Sequence, residues 1–411
     1  MRWPAIFALA LLAQSSGQQP VFRAAADHVS TEVGAHDRSG RFVSDLKVAD
    51  FDVYEDGVRQ QITTFSPIVG GRALGVTSVA AAGRRNEALI LPAPRTAPDV
   101  SGRIFIVFID DLHLQALDSP KVRKLLQEIR DEILQDNDLV GIVSSGYSSI
   151  AQDLVYDYGH RRFNEAIGRV MGSADTPQQI VQAPQTAQGP VGIRYRAHTA
   201  FATAHDLLLK AAKIGDRRKS FLYVSNGYDF NPYKDSRYRY QQEQYGIPAK
   251  GASGDSRASG ADARESIADN PFDKNGSQFA ESDLIAELAE LVRAARRANV
   301  VFYTMDPRGL DAGPPMDAPV TQQEWRESLQ ISQSSLMALA DETGGFCICN
   351  SNEFRKNLQR INNETSDYYM IGYTSNNPDP LKLKRRIEIR VKRPGVELNY
   401  KSEYTLPRPR R

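Results

Sequence analysis

The chain is poor in sulfur and has no long apolar run. Of its 411 residues only two are cysteine, Cys347 and Cys349, so a disulfide-rich scaffold is excluded. A structural zinc site would need histidines as well, and none of the six lies near the cysteines in sequence. On a strand Cys347 and Cys349 share a face and a bond between them is strained, so two buried thiols are expected; a redox pair would want CxxC. No apolar stretch approaches ~18 residues, which together with a mean hydropathy of −0.44 excludes a polytopic membrane protein. Charge of one sign is also lacking. Lys+Arg 51 against Asp+Glu 50 leaves +1, with no overall field to hold nucleic acid. Catalytic signatures are missing too: no HExxH, no GxSxG, no GxGxxG opening a helix and no GxxxxGK[ST]. The histidines (28, 36, 113, 160, 198 and 205) are scattered, and the chain is expected not to be an enzyme.

What is present is globular composition, 41% hydrophobic and 25% charged, in a chain long enough for two or three compact units. Arg2, the apolar stretch from Trp3 to Ala13 and the small polar residues that follow read as a signal peptide over residues 1–17. The mature chain is therefore expected to be secreted or periplasmic, with no transmembrane segment after cleavage.

Residues 28–65 form a β-rich module, with Asp56-Gly57 as a hairpin turn. Residues 66–102, rich in Ala, Gly, Pro and Arg, read as a linker. From 103 to 365 continuous apolar runs alternate with helical spacing. IFIVFI (104–109), LVGIV (139–143), FLYV (221–224) and VVFY (300–303) are buried strands. A weaker strand is expected at 149–155. Helices are expected near 161–171, 199–213, 282–298, 332–343 and 352–364, with Leu284, Ile285, Leu288, Leu291 and Val292 on the buried face of the third. Residues 172–197 and 231–278 read as mobile insertions; the second contains two isoleucines but no leucine, valine or methionine.

Residues 367–405 alternate polar and apolar side chains, read as antiparallel strands packing with the N-terminal β module. Pro394-Gly395 is the turn of a hairpin there. The 11 Lys/Arg and 3 Glu between Lys382 and Arg411 are the solvent faces of edge strands or a docking surface for an acidic partner. The fold class is α/β, a doubly wound, mostly parallel sheet with a flanking β-rich domain.

Ligands of such sheets sit at the carboxyl ends of the strands. Asp110-Asp111, Ser144-Ser145, Ser225-Asn226 and Asp306 occupy those ends. Asp110 and Asp111 are hard oxygen ligands suited to Mg²⁺ or Ca²⁺; the alternative is that Asp110 caps the following loop. The apolar strand ending in Asp-Asp is similar to one in nucleotide hydrolases, but no phosphate loop is present; an acidic pair there also occurs in phospho-receiver domains, for which an exported protein has no matching kinase at hand.

Several phrases together resemble bacterial proteins with a von Willebrand factor type A-like domain, of the kind abundant in acidobacteria. They are SGRFVSDLKVADFDVYEDGVRQQITTF, RIFIVFIDDLHL, RRKSFLYVSNGYD, ETGG (342–345) and YYMIGY with IRVKRPGVELNYKSEY, and they cover most of the mature chain. The resemblance implies a Rossmann-type von Willebrand factor A-like α/β domain with a metal-ion-dependent adhesion site. Carried over, that site would comprise Asp110, Thr199 and Asn226, with Asp111 or Asp229 as the carboxylate that would compensate for the missing ligands. It is degenerate: the family's Asp-x-Ser-x-Ser is Asp110-Asp111-Leu112-His113-Leu114 here, and Asn226 replaces an acidic residue. No cofactor is expected beyond weak Mg²⁺ or Ca²⁺. The implied function is an exported, non-enzymatic, adhesion-type module that binds a protein ligand. The alternatives are a structural cell-envelope scaffold and, further off, a metal-dependent hydrolase.

Overall fold

The structure, a computed structural model, describes residues 28–73, 77–78, 103–186, 188–214, 218–245, 271–310, 313–376, 382, 384–400 and 402–405. The expected signal peptide and the basic residues Arg408, Arg410 and Arg411 lie outside them.

The N-terminal strands are β1 (His28–Asp37), β2 (Phe51–Glu55), β3 (Val58–Gln60), β4 (Ile62–Val69) and the short β5 (Arg72–Ala73) and β6 (Thr77–Ser78). Then come β7 (Ile104–Ile109), α1 (Ser119–Glu132), β8 (Leu139–Ser144), α2 (Arg161–Ile167), α3 (Pro177–Gln182), β9 (Gln185–Thr186), β10 (Gly189–Pro190) and α4 (Val191–Ala211). The unit continues with β11 (Lys219–Val224), α5 (Lys234–Tyr245), α6 (Pro271–Arg297), β12 (Val300–Met305), α7 (Gln322–Asp341), β13 (Cys347–Ile348) and α8 (Phe354–Ser366). The chain returns with β14 (Tyr368–Thr374), β15 (Lys384–Val391), β16 (Val396–Tyr400) and β17 (Glu403–Thr405).

The continuous apolar runs become the middle of a parallel sheet of order β13-β12-β11-β7-β8, in which every pairing is parallel. All six residues of β7 and of β11 are buried, because helices cover both faces. On one face α4, α6 and α7 pack Phe201, Leu208, Leu291 and Leu336 against Phe108, Phe221 and Phe302. On the other, α1, α2 and α8 pack Leu126, Ile129, Phe163 and Ile361 against Val107, Ile109 and Leu222. Val122, Leu125, Leu126 and Ile129 recur at helical spacing, which turns that side of α1 inward.

The β-rich part is built from both ends of the chain. One antiparallel sheet runs β16-β1-β14-β4-β5 with β6 on β4, and the other runs β17-β15-β2-β3. Val33, Phe65 and Tyr369 from the first and Phe51, Val53 and Ile389 from the second share one core, a sandwich. Asp56 and Gly57 take positive φ of 48° and 84°, as the tight β2–β3 hairpin requires. A backbone bond from Gly71 N to Ser366 O joins the end of β4 to the end of α8.

Several sequence expectations need correction. Pro394-Gly395 does turn the chain, but β15 and β16 do not form a hairpin: β15 pairs with β2 and β17, β16 with β1. The turn carries the chain from one layer of the sandwich to the other. The expected linker begins too early, since Ser66–Val69 complete β4; residues 79–102 lie outside the described residues. No strand forms at 149–155; only an isolated bridge joins Val140 and Asp157. The insertion at 172–197 contains α3, capped by Thr176, and the start of α4. In the region 231–278, α5 is docked by polar rather than aliphatic contacts and α6 starts at Pro271, while 246–270 lie outside the described residues. Ile285 is exposed, not on the buried face of α6. Cys347 and Cys349 are not free thiols but form a disulfide, with Cα atoms 5.4 Å apart.

Candidate functional site

The strand order reverses beside β7: β8 lies on one side of it and β11, the next core strand, on the other. A sheet opens a crevice at such a point, outside the carboxyl ends of its strands. Asp110 and Asp111 follow β7, Ser145 follows β8, Ser225 and Asn226 follow β11, and Asp306 follows β12; all are buried.

Asp110 is fully buried and saturated from within. His113 Nδ1 donates to Oδ1 at 3.0 Å, the tautomer that a carboxylate acceptor requires. Ser225 Oγ donates to Oδ2 at 2.8 Å and the Tyr228 hydroxyl at 2.6 Å. The Tyr223 hydroxyl continues the chain by bonding to that of Tyr228, and the His113 ring meets Tyr228 edge-on, centroids 4.6 Å apart. Burial opposes ionisation of Asp110, but the attraction and hydrogen bond of His113, with those of Tyr228 and Ser225, outweigh it and hold its pKa below the ordinary value. Burial and the Asp110 charge push Tyr223 and Tyr228 well up, so both remain neutral donors.

Asp111 is the residue that acts as a loop cap. Its Oδ1 accepts from Ser145 Oγ at 2.7 Å and from Gly146 N at 3.1 Å, and its Oδ2 from the backbone N–H groups of Tyr147 and Ser148. The carboxylate thereby closes the turn after β8. Asn226 donates from Nδ2 to Asp118 Oδ2 at 3.2 Å, and its backbone carbonyl accepts from Arg308 Nη2 at 2.6 Å. Arg308 also forms a two-pronged pair with Asp306, tying the ends of β11 and β12 together. Next to Asn226, Gly227 has φ +79°, and a Cβ there would meet Ser332 O at 2.1 Å, so only glycine lets this loop lie against α7.

Among the described residues no hydrogen bond joins Thr199 to the strand-end site. The residue lies within α4, and its hydroxyl donates to Tyr195 O at 2.9 Å, one helical turn back. Asp110, Asp111 and Asn226 therefore share the strand ends and Thr199 does not. Leu114 is completely buried in the core, so its side chain serves packing rather than ligation.

This arrangement does not fit a divalent cation. Ca²⁺ and Mg²⁺ want six or so oxygens with free lone pairs, and both carboxylates already accept from several donors. Among the described residues no group of three or more His, Cys, Asp or Glu could hold a metal ion. Among the described residues, Asn226 Oδ1, Ser144 Oγ and His113 Nε2 are buried at these strand ends and loops without a partner.

Sequence reasoning missed Tyr223, Tyr228 and Asp118. A signal existed for the first: a tyrosine inside a fully buried strand carries a hydroxyl that needs a partner.

Around this floor the loops carry apolar side chains in solvent. Leu117 (84% exposed) follows β7, Tyr147 (54%) follows β8, and Leu310 (58%) follows β12. Met171 is also exposed, and its backbone N–H donates to Ser148 Oγ, which places it beside the β8 loop. Compared with known protein families the chain matches none, and no curated protein is similar to it in sequence.

Proposed function

We propose that the chain is an exported, non-enzymatic protein-interaction module of adhesion type, whose α/β unit is a von Willebrand factor A-like domain that contacts its protein ligand without a bridging ion. The observation that carries this reading is the set of exposed apolar side chains on the strand-end loops, Leu117, Tyr147, Met171 and Leu310, above a floor whose carboxylates are already satisfied. Aromatic and aliphatic side chains held in solvent by a rigid scaffold are the raw material of an interface core. The saturated carboxylates leave shape and apolar burial, rather than ion bridging, to supply affinity.

The test is capture of a discrete partner from an envelope extract by the mature protein, compared with a Leu117→Asp/Tyr147→Asp variant. Both positions are exposed, so the variant is expected to melt like the parent and to lose the partner, while chelator leaves capture by the parent unchanged. Self-association untouched by the variant, with no discrete partner, would instead favour an envelope scaffold.

A further inference from the structure

The disulfide between Cys347 and Cys349 lies outside the strand-end site and has little to do for the fold. It encloses a single residue, Ile348. The stabilisation that a cross-link gives by restricting the unfolded chain grows with the loop it closes, so a bond across one residue is near the bottom of that scale.

The backbone it spans is already held by other means. Thr304 pairs with Cys347 and Met305 with Ile348 in the parallel ladder, and Asp306 N donates to Ile348 O at 3.0 Å. Gly345, just upstream, packs so closely that a Cβ would meet Phe302 O at 1.9 Å. Ile348 itself is buried in the core between the sheet and the helices α1 and α8. The bond also lies at the margin of the fold, its inner side packed against the core under α4, α6 and α7. β13 is the edge strand of its sheet, both cysteines are only half-buried, and Cys349 lies past the last ladder pair, beside exposed Asn350. These are the only cysteines of the chain, so a thiol released here has no competing partner within it.

We propose that Cys347–Cys349 is a thiol–disulfide exchange site whose substrate class is an external thiol. The thiolate of the incoming molecule attacks one sulfur, the S–S bond breaks, and the other cysteine leaves as a thiolate that takes up a proton. The product is a mixed disulfide. A second external thiolate then displaces the protein sulfur, giving an external disulfide and a protein dithiol: two electrons pass from two thiols to one disulfide. In reverse, the dithiol accepts a disulfide and recloses, since the ladder at Cys347 and Ile348 holds the two Cα atoms 5.4 Å apart.

The test uses the full mature protein, purified without reductant and incubated in glutathione buffers of graded reduced-to-oxidised ratio and, separately, with dithiothreitol. Alkylation and mass measurement read the thiols, and a thermal melt is recorded for each state. The expected result is that the native protein exchanges progressively with glutathione and melts within about 2 °C of the oxidised form when fully reduced. Cys349→Ser is expected to hold glutathione on Cys347. Reduction by dithiothreitol but never by glutathione would restrict the substrate to dithiols and overturn exchange with monothiols. A bond that resists both until the protein unfolds would make the disulfide structural and overturn the proposal. Two free thiols in the oxidatively purified protein would overturn it as well.

Discussion

At the residue scale the molecule is organised by Asp110. Three side-chain donors converge on one fully buried carboxylate, and the Tyr223–Tyr228–Asp110–His113 chain crosses from the sheet to the loop after β7. Such a network is costly to leave half-made, because each donor then stays buried without an acceptor. Asp110→Asn is expected to cost about 3 kcal/mol at pH 7. The folded pKa lies below the value of about 3.9 expected in the unfolded chain, so ionised Asp110 favours the native state above that pH. That contribution fades as pH falls through the folded value, so the deficit of Asp110→Asn should shrink in melts recorded below about pH 4. The same residue decides the metal question. Millimolar Mg²⁺ against a micromolar site would add roughly 4 kcal/mol, but melts with chelator and with Mg²⁺ or Ca²⁺ are expected to superimpose. A rise of several degrees that disappears in Asp110→Ala would mean a working cation site.

At the scale of the element, α5 shows how a helix with almost no aliphatic side chains can be held. Ser236 N and Oγ donate to the two oxygens of Glu324, at 2.8 and 2.7 Å, and Tyr233 stacks parallel to Trp325 of α7. Glu324 also closes the capping box of α7 with Thr321, so one carboxylate serves two helices. Burial opposes its charge, but the bonds from Ser236 and Thr321 outweigh this and hold its pKa below the ordinary value. Glu324→Ala is expected to destabilise the start of α7 by about 1 kcal/mol and to release α5. Amide hydrogen exchange should then be about tenfold faster in α5, with the central strands β7 and β11 unchanged. Equal acceleration in β7 would show that α5 is integral to the core rather than docked upon it.

At the scale of the whole molecule the chain leaves the sandwich, builds the parallel sheet and comes back. β1 lies between β14 and β16, β2 pairs with β15, and β4 pairs with β14. The N-terminal strands therefore lack most of their backbone partners until the last part of the chain arrives. A chain ending at Ser366 is expected to expose residues 28–69 to protease early, while β7 and β11, bonded only within the α/β unit, stay protected. Protection of 28–69 in that shortened chain would mean that the N-terminal module folds without its partner strands.

The sequence by itself determined the layers. IFIVFI, short, continuous and rich in β-branched and aromatic residues, reads as a strand covered on both faces, and Asp56-Gly57 as a tight hairpin turn; both follow from local composition and local sterics. It also showed that Leu112 and Leu114, just past the first core strand, bring no side-chain oxygen to a cation there. What was not legible depends on partners distant in the chain. Nothing near Pro394-Gly395 tells a hairpin from a crossover between two sheets, because pairing is decided by β1 and β2, more than three hundred residues away. Likewise Asp110 and Asp111 are neighbours with the same chemistry. One became the centre of a buried network and the other a loop cap because β7 lies between two strands: Asp110 meets Ser225 and Tyr228 after β11, and Asp111 meets the Ser145–Ser148 turn after β8.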